Sequence, residues 1–301
     1  MSDRVIVMVA DANFLPHTKS LAVNVRRQGL TDADFLWIVP DDMFAPDVYD
    51  LTSRGAFVLP VRDRGFLMKF NLFHPFLKQW KQALFLDADC MVQRPLSFVW
   101  EQLDAAQPCA DGCKPILTDR EEVPVYMGWQ VWDKEWRDHE AIYEAMSKRF
   151  PHVFTEEKMY NTSMVAWEPE SIPDGTVAQL RALQAEYEIC NRPENGGTDE
   201  PIIDLLLHQR IRLMPRKNFC FFGLDVKPDE TQNSRVPSES RGWDGTETPT
   251  VIHYSRWHAQ WIKKPHDAVG YSNDRIGDGV VTYNFYHESL AAFETVFPVK
   301  G

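Results

Sequence analysis

The sequence predicts an α/β protein in one domain, a mostly parallel sheet flanked by helices. Three observations lead there. Short apolar, β-branched runs without polar alternation recur through the first two-thirds of the chain, as in "VIVMVA" (5–10) and "ALFLD" (83–87). Helix-period stretches separate them, the order that builds parallel strands joined by crossovers. The 301 residues are 44% hydrophobic, ample for one large core.

Taken in order, "VIVMVA" reads as a buried first strand. Thr18, Leu21, Ala22 and Val25 then fall at helical spacing on one face, and Gly29 is a stop signal. "FLWIV" (35–39) is a second strand and "AFVLPV" (56–61) a third, weakened by Pro60. A helix is expected over roughly 66–80, then "ALFLD" as a fourth strand. Residues 100–160 are less regular and carry Trp129, Trp132 and Trp136. "SMVAW" (163–167) reads as a strand, 175–190 and 199–209 as helices, and "TVIHY" (250–254) as a late strand. Between the last two, 223–250 is polar and rich in Pro, Ser, Gly and Thr, the composition of a long surface loop.

Charge narrows the partners. Thirty-two Lys and Arg against 44 Asp and Glu leave a formal charge of −12, which argues against nucleic acid because phosphate-backbone binding needs clustered cations. An anionic substrate would need a metal or a local basic patch to offset the protein's own field. The five cysteines are Cys90, Cys109, Cys113, Cys190 and Cys220; Cys109 and Cys113 lack a second pair or a histidine at zinc-site spacing. A reduced, cytoplasmic protein is the expectation, since "MSDRVIVMVA" is too short an apolar run for a signal peptide and no stretch approaches ~20 apolar residues.

The chemistry concentrates where the fourth strand ends. In parallel α/β sheets ligands sit beyond the carboxyl ends of the strands, and "ALFLDADCMV" (83–92) places Asp87 and Asp89 there. The strand's period of two points both carboxylates to one face with Cα atoms ~7 Å apart. Carboxylate oxygens so placed suit Mg²⁺ or Mn²⁺. The plain alternative is a solvated strand end capping the next helix.

Two enzyme classes carry Asp-x-Asp after a buried strand. In the haloacid-dehalogenase-like phosphatases one aspartate is a nucleophile and the pair binds Mg²⁺, and "GTDEPIID" (197–204) resembles their distal acidic motif through Asp199 and Asp204. That family sets the motif on its first strand, often before Gly-Thr; here three strands precede it and Cys90-Met91 follow. A second resemblance covers more of the chain. "MKFNLFHPFLKQWKQALFLDADCMVQRPL" (68–96) resembles the segment of glycosyltransferase family 8, the glycogenin and galactinol synthase type, in which a basic residue opens a helix leading to an "LDADxxV" strand. "YNTSMVAW" (160–167), "NGGTDEPIIDLLL" (195–207), "VIHYSRW" (251–257) and "VADANFLPHTKSLAVNVRRQG" (9–29) resemble four more of its elements, all in family order across about residues 5–265.

The resemblance implies a GT-A fold and a hexosyl transfer from a nucleotide sugar, a UDP-sugar above all, to a saccharide or other hydroxyl acceptor, with Mn²⁺ or Mg²⁺ and retained configuration. Asp87, Asp89 and His253 would hold the metal, with Asp87 sharing it or bonding the ribose. Ala10, Asp11, Phe14, Lys69, Ala88 and Lys264 would contact the donor; Asn161, Asp199 and Lys69 would face the transferred sugar. Each has a plainer reading: Lys69 as a solvated helix lysine, Asn161 as a turn residue, His253 as a core imidazole, Thr198 and Asp199 as a helix N-cap. Two departures from the family stand out. Its glutamine is Glu200 here, which bears on the sugar contacts, and its Lys-Pro-Trp clamp is echoed only by Lys264 with His266 in place of tryptophan, so Arg256, Lys263 and Lys264 share that assignment. Trp129, Trp132, Trp257 and Trp261 are candidates for an acceptor platform or for the core. A phosphatase, or a silent nucleotide-sugar-binding module, is the alternative function.

Overall fold

The computed structural model describes residues 1–30, 32–92, 94–118, 121–122, 140–156, 159–186, 199–214, 220–222, 251–253 and 286–300. The polar stretch 223–250, Trp129, Trp132, Trp136, Trp257, Trp261, Cys190, Arg256, His258, Lys263, Lys264 and His266 lie outside those residues.

The strands, in chain order, are β1 (Arg4–Val9), β2 (Asp34–Pro40), β3 (Phe57–Val61), β4 (Gln82–Leu86), β5 (Cys90–Val92), β6 (Ile116–Thr118), β7 (Glu121–Glu122), β8 (Met159–Tyr160), β9 (Met164–Trp167), β10 (Ile211–Leu213), β11 (Cys220–Phe222) and β12 (Val251–His253). The helices are α1 (Leu15–Arg27), α2 (Ala45–Ser53), α3 (Phe98–Ala105), α4 (Glu140–Arg149), α5 (Pro151–Glu156), α6 (Thr176–Glu186), α7 (Glu200–Leu207) and α8 (Phe293–Val296). Seven strands form the main sheet in the order β10-β6-β9-β4-β1-β2-β3. Neighbours in the block β3-β2-β1-β4 run parallel, as do β6 and β10, whereas β9 runs antiparallel to β4 and β6 on either side.

The apolar runs sit where their composition demands. Val5 and Val7 of β1 and Phe85 of β4 face one core layer, packed on the 65–73 segment, α6 and α7. Ile6 and Met8 of β1 and Leu84 and Leu86 of β4 face the other, against α1, α3 and α8. With both faces covered, alternation has no polar side to report, hence the unbroken hydrophobic runs. The expected face of α1, Thr18, Leu21, Ala22 and Val25, is buried, and the chain leaves that helix through Gly29 at φ 92°. Pro60 stands exposed on β3, the edge strand, where a missing N–H costs no ladder bond.

One expectation fails locally, and one expected strand forms outside the main sheet. The single helix over 66–80 is instead two 3-10 segments, Gly65–Phe73 and Pro75–Gln79. His74 between them is extended (φ −70°, ψ 138°), as the residue before a proline tends to be. The strand "TVIHY" does not join the main sheet. As β12 it pairs antiparallel with β5 and parallel with β11, in a small sheet of order β11-β12-β5.

That small sheet is pinned to the main body by one asparagine. Asn24, buried on α1, donates through Nδ2 to the Val92 carbonyl at 2.7 Å and accepts from the Val92 N–H at 2.5 Å. Truncation would leave both backbone groups buried and unpaired. Asn24→Ala should therefore lower stability by about 2–4 kcal/mol in urea denaturation; a loss below ~1 kcal/mol would mean water replaces the side chain.

Candidate active site

Five segments far apart in sequence meet beyond the carboxyl end of β4. The turn after β4 supplies Asp87 and Asp89, the first 3-10 segment Lys69, the β8–β9 connection Asn161 to Ser163, the start of α7 Asp199 and Glu200, and β12 His253. The antiparallel course of β9 is what lets them meet. An antiparallel strand begins where its neighbour ends: Leu86 pairs with Met164, and the Asp87 N–H donates to the Ser163 carbonyl at 2.8 Å.

The two aspartates do not lie on an extended strand. β4 stops at Leu86, and the Cys90 N–H donates to the Asp87 carbonyl at 3.0 Å, closing a turn over Asp87-Ala88-Asp89. Strand alternation therefore does not aim the carboxylates; the turn does. Both reach the same imidazole: His253 Nε2 lies 3.1 Å from Asp89 Oδ1 and 3.9 Å from Asp87 Oδ2. His253 arrives through the pairing of β12 with β5, in which it stands opposite Cys90.

Lys69 is the buried cation of the cluster, 7% exposed. Its Nζ lies 2.8 Å from Asp87 Oδ2 and 3.3 Å from Asp199 Oδ1. Burial works against its charge, but Asp199 and then Asp87 outweigh burial and hold the ammonium well above its ordinary pKa. Asp87 is pushed above the usual carboxylate range, first by burial and further by Asp89 and Asp199, with Lys69 and His253 pulling the other way. The solvated-lysine reading of Lys69 is thus wrong.

Asp199 occupies the N-cap position of α7, yet its side chain makes no capping bond. It accepts instead from Thr162 Oγ1 at 2.6 Å and faces Lys69. Glu200 accepts from Asn161 Nδ2 at 2.8 Å and from the Thr162 N–H at 3.3 Å. Asn161 Oδ1 in turn accepts from the Ser163 N–H at 2.8 Å. Behind this layer Asp204, fully buried on α7, accepts from the Tyr160 N–H at 2.8 Å and fixes β8.

The remaining candidates are less involved. Ala10 is buried at the end of β1, its N–H donating to the Ile38 carbonyl at 3.1 Å. Asp11 spends Oδ1 on the N–H groups of Asn13 (2.8 Å) and Phe14 (3.0 Å), starting α1. Phe14 is half-buried with its ring 5.5 Å from that of His17. As β1 is parallel to β4, this segment leaves the sheet at the same edge as the aspartates. Sequence reasoning missed Thr162, Ser163 and above all Cys90, whose ligand atom lies with those of Asp89 and His253, all within 4.8 Å of one another.

Chemically, Asp87, Asp89, Asp199 and Glu200 crowd around one lysine and one imidazole, a local negative excess that attracts a cation. Asp89, Cys90 and His253 offer a carboxylate, a sulfur and a ring nitrogen within 4.8 Å of one another, with Asp87 Oδ2 3.9 Å from the imidazole, donors that divalent transition-metal ions accept. The residues fit a metal.

No family model and no curated protein sequence matches the chain. Its similarity is to solved structures. It aligns over 99% of its length with WbbM, a bifunctional glycosyltransferase, at TM-score 0.56 and 12% identity, covering 52% of that chain. Over 96% of its length it aligns with the galactosyltransferase LgtC, a structure solved with donor and acceptor sugar analogues, at TM-score 0.56 and 13% identity, covering 95% of that chain. The fold is that of the GT-A glycosyltransferases. GlyE of Streptococcus pneumoniae gives TM-score 0.56 and 13% identity over the whole chain, covering 66% of its own length. The chain thus spans about half of WbbM and two-thirds of GlyE, but nearly all of LgtC. Within the GT-A fold, no helix among the described residues is long and apolar enough to cross a membrane.

Removing Lys69 would leave Asp87 and Asp199 buried without their cation. Lys69→Met should cost about 3–5 kcal/mol at neutral pH in urea denaturation. Unchanged stability would mean that the carboxylates take up protons at no cost.

Proposed function

We propose that the protein is a metal-dependent glycosyltransferase that moves a hexose from a nucleotide sugar, a UDP-sugar by the family resemblance, to a hydroxyl acceptor with retention. One observation carries the reading: at the carboxyl end of β4 in a GT-A sheet, Asp89 Oδ1 and Asp87 Oδ2 lie 3.1 and 3.9 Å from His253 Nε2. Asp89, Asp87 and His253 would hold Mn²⁺ or Mg²⁺. The ion supplies positive charge where a departing nucleoside diphosphate accumulates negative charge.

The chain's own residues have the following parts. Lys69 neutralises Asp87 and Asp199 and sets the positions of both, so that the two acids point into the site without repelling each other. Asn161 and Glu200 hold each other through a hydrogen bond and present amide and carboxylate groups suited to sugar hydroxyls. Asp199, fixed by Thr162, would orient the transferred sugar. Ala10, Asp11 and Phe14, at the exit of β1, form the floor offered to the nucleoside, with the Phe14 ring providing stacking area. Lys264, Arg256 and Lys263 remain the candidate diphosphate cations. Front-face attack assisted by the leaving phosphate needs no protein nucleophile, which suits a site whose carboxylates are all engaged.

The phosphatase reading would make Asp87 a nucleophile. Here its Oδ2 is tied to Lys69 at 2.8 Å, and its strand lies in a sheet of glycosyltransferase fold.

Calorimetric titration of UDP into the purified protein tests the proposal directly. Binding is expected with Mn²⁺ and should vanish in EDTA. Asp89→Ala should abolish the metal-dependent binding and transfer; His253→Ala should weaken them at least ~10-fold, the minimum expected even for loss of an outer-shell partner. Undiminished UDP binding in EDTA, or full activity of Asp89→Ala, would overturn the metal-dependent reading.

A further inference from the structure

The residue that follows the aspartate pair belongs to the same cluster. Cys90 and His253 stand directly opposite in the antiparallel pair β5–β12, so their side chains share one face of the small sheet. Both are 6% exposed. The Cys90 ligand atom lies within 4.8 Å of those of Asp89 and His253, close enough that one ion at about 2.0–2.3 Å from each donor requires only small side-chain movements. Its sulfur also approaches the Ser163 carbonyl at 3.9 Å, a weak thiol contact that is cheaply given up. Cys90 takes part in no disulfide.

We propose that Cys90 is a thiolate ligand of the ion held by Asp89 and His253, giving this site a preference for zinc- or cobalt-type cations over Mg²⁺. The proposal rests on the metal-binding reading above and names the ion class that the site selects. Its chemistry is a simple exchange: the Cys90 S–H bond breaks, a sulfur–metal bond forms, the proton leaves to solvent, and no electron is transferred. Sulfur, imidazole and carboxylate together are a set in which zinc is at home with four ligands. Mg²⁺ demands near-octahedral oxygen coordination and gains nothing from sulfur. Nearly any nitrogen- and oxygen-containing site prefers Zn²⁺ to Mn²⁺, so a bare preference proves little. The signature is the part of that preference that Cys90 carries.

The test uses the full chain, stripped of metal with a chelator and titrated with Co²⁺ while its absorption is recorded. A sulfur-to-cobalt charge-transfer band in the near ultraviolet is expected. It should be absent from Cys90→Ser and Cys90→Ala and intact in Cys109→Ser, whose thiol lies elsewhere. In a Zn²⁺/Mn²⁺ competition, Cys90→Ser should lower the Zn²⁺ preference at least ~10-fold, no less than losing an outer-shell partner costs. Co²⁺ bound by the unaltered protein without a sulfur band overturns the proposal, and this outcome needs no variant to fold. So does a band that survives in Cys90→Ser. If Mn²⁺-dependent UDP binding stands while the cobalt spectrum lacks the band, only the cysteine ligand falls. If no divalent ion binds at all, the metal-dependent function falls with it.

Discussion

A buried lysine held between two aspartates is the constraint around which the rest of the site is arranged. Lys69 could not remain charged at 7% exposure without Asp87 and Asp199, and neither acid would be tolerated there without it. Because its partners belong to β4's exit and to the start of α7, the ammonium fastens together segments 18 and 130 residues away from it (87 − 69 and 199 − 69). Thr162 and Glu200 then fasten the β8–β9 connection onto the same α7 terminus. Such a network holds side chains from three separate segments in one fixed arrangement.

The sheet gives this network its address. Four parallel strands direct the exits of β1 and β4 to one edge, and the reversed β9 brings the entrance of its own strand to that edge too. A purely parallel sheet would have sent the 161–163 connection to the opposite side. The mixed topology thus brings the entrance of β9, rather than its exit, to that rim. The small sheet β11-β12-β5 lies outside this scheme, and its β5–β12 pairing adds the imidazole.

Much of this was legible in the sequence for a physical reason: strands buried on both faces, a helix with a clean apolar stripe, and acids at a strand's end are local signals. What was lost depended on tertiary register. Asp87 and Asp89 converge through a turn closed by Cys90 and Ser163, so the alternation argument reached the right residues by the wrong geometry. The helix over 66–80 fails at Pro75, whose ring forces His74 out of the helical region. Asp199 keeps the N-cap position but not the N-cap bond: Pro201 has no N–H, the buried Ile202 N–H donates to the Asp199 backbone carbonyl, and the carboxylate faces Lys69. Cys90 was invisible because only the β5–β12 register sets it opposite His253. Likewise Glu200, read as a departure from a family pattern, finds its meaning in Asn161.

The lateness of β12 has a consequence for how the site comes into being. Asp89 emerges in the first third of the chain, whereas His253 follows more than half a chain length later. Contacts of such high sequence separation form slowly, after the main sheet has condensed. During synthesis, therefore, the acidic turn after β4 exists before the imidazole that β12 sets beside it.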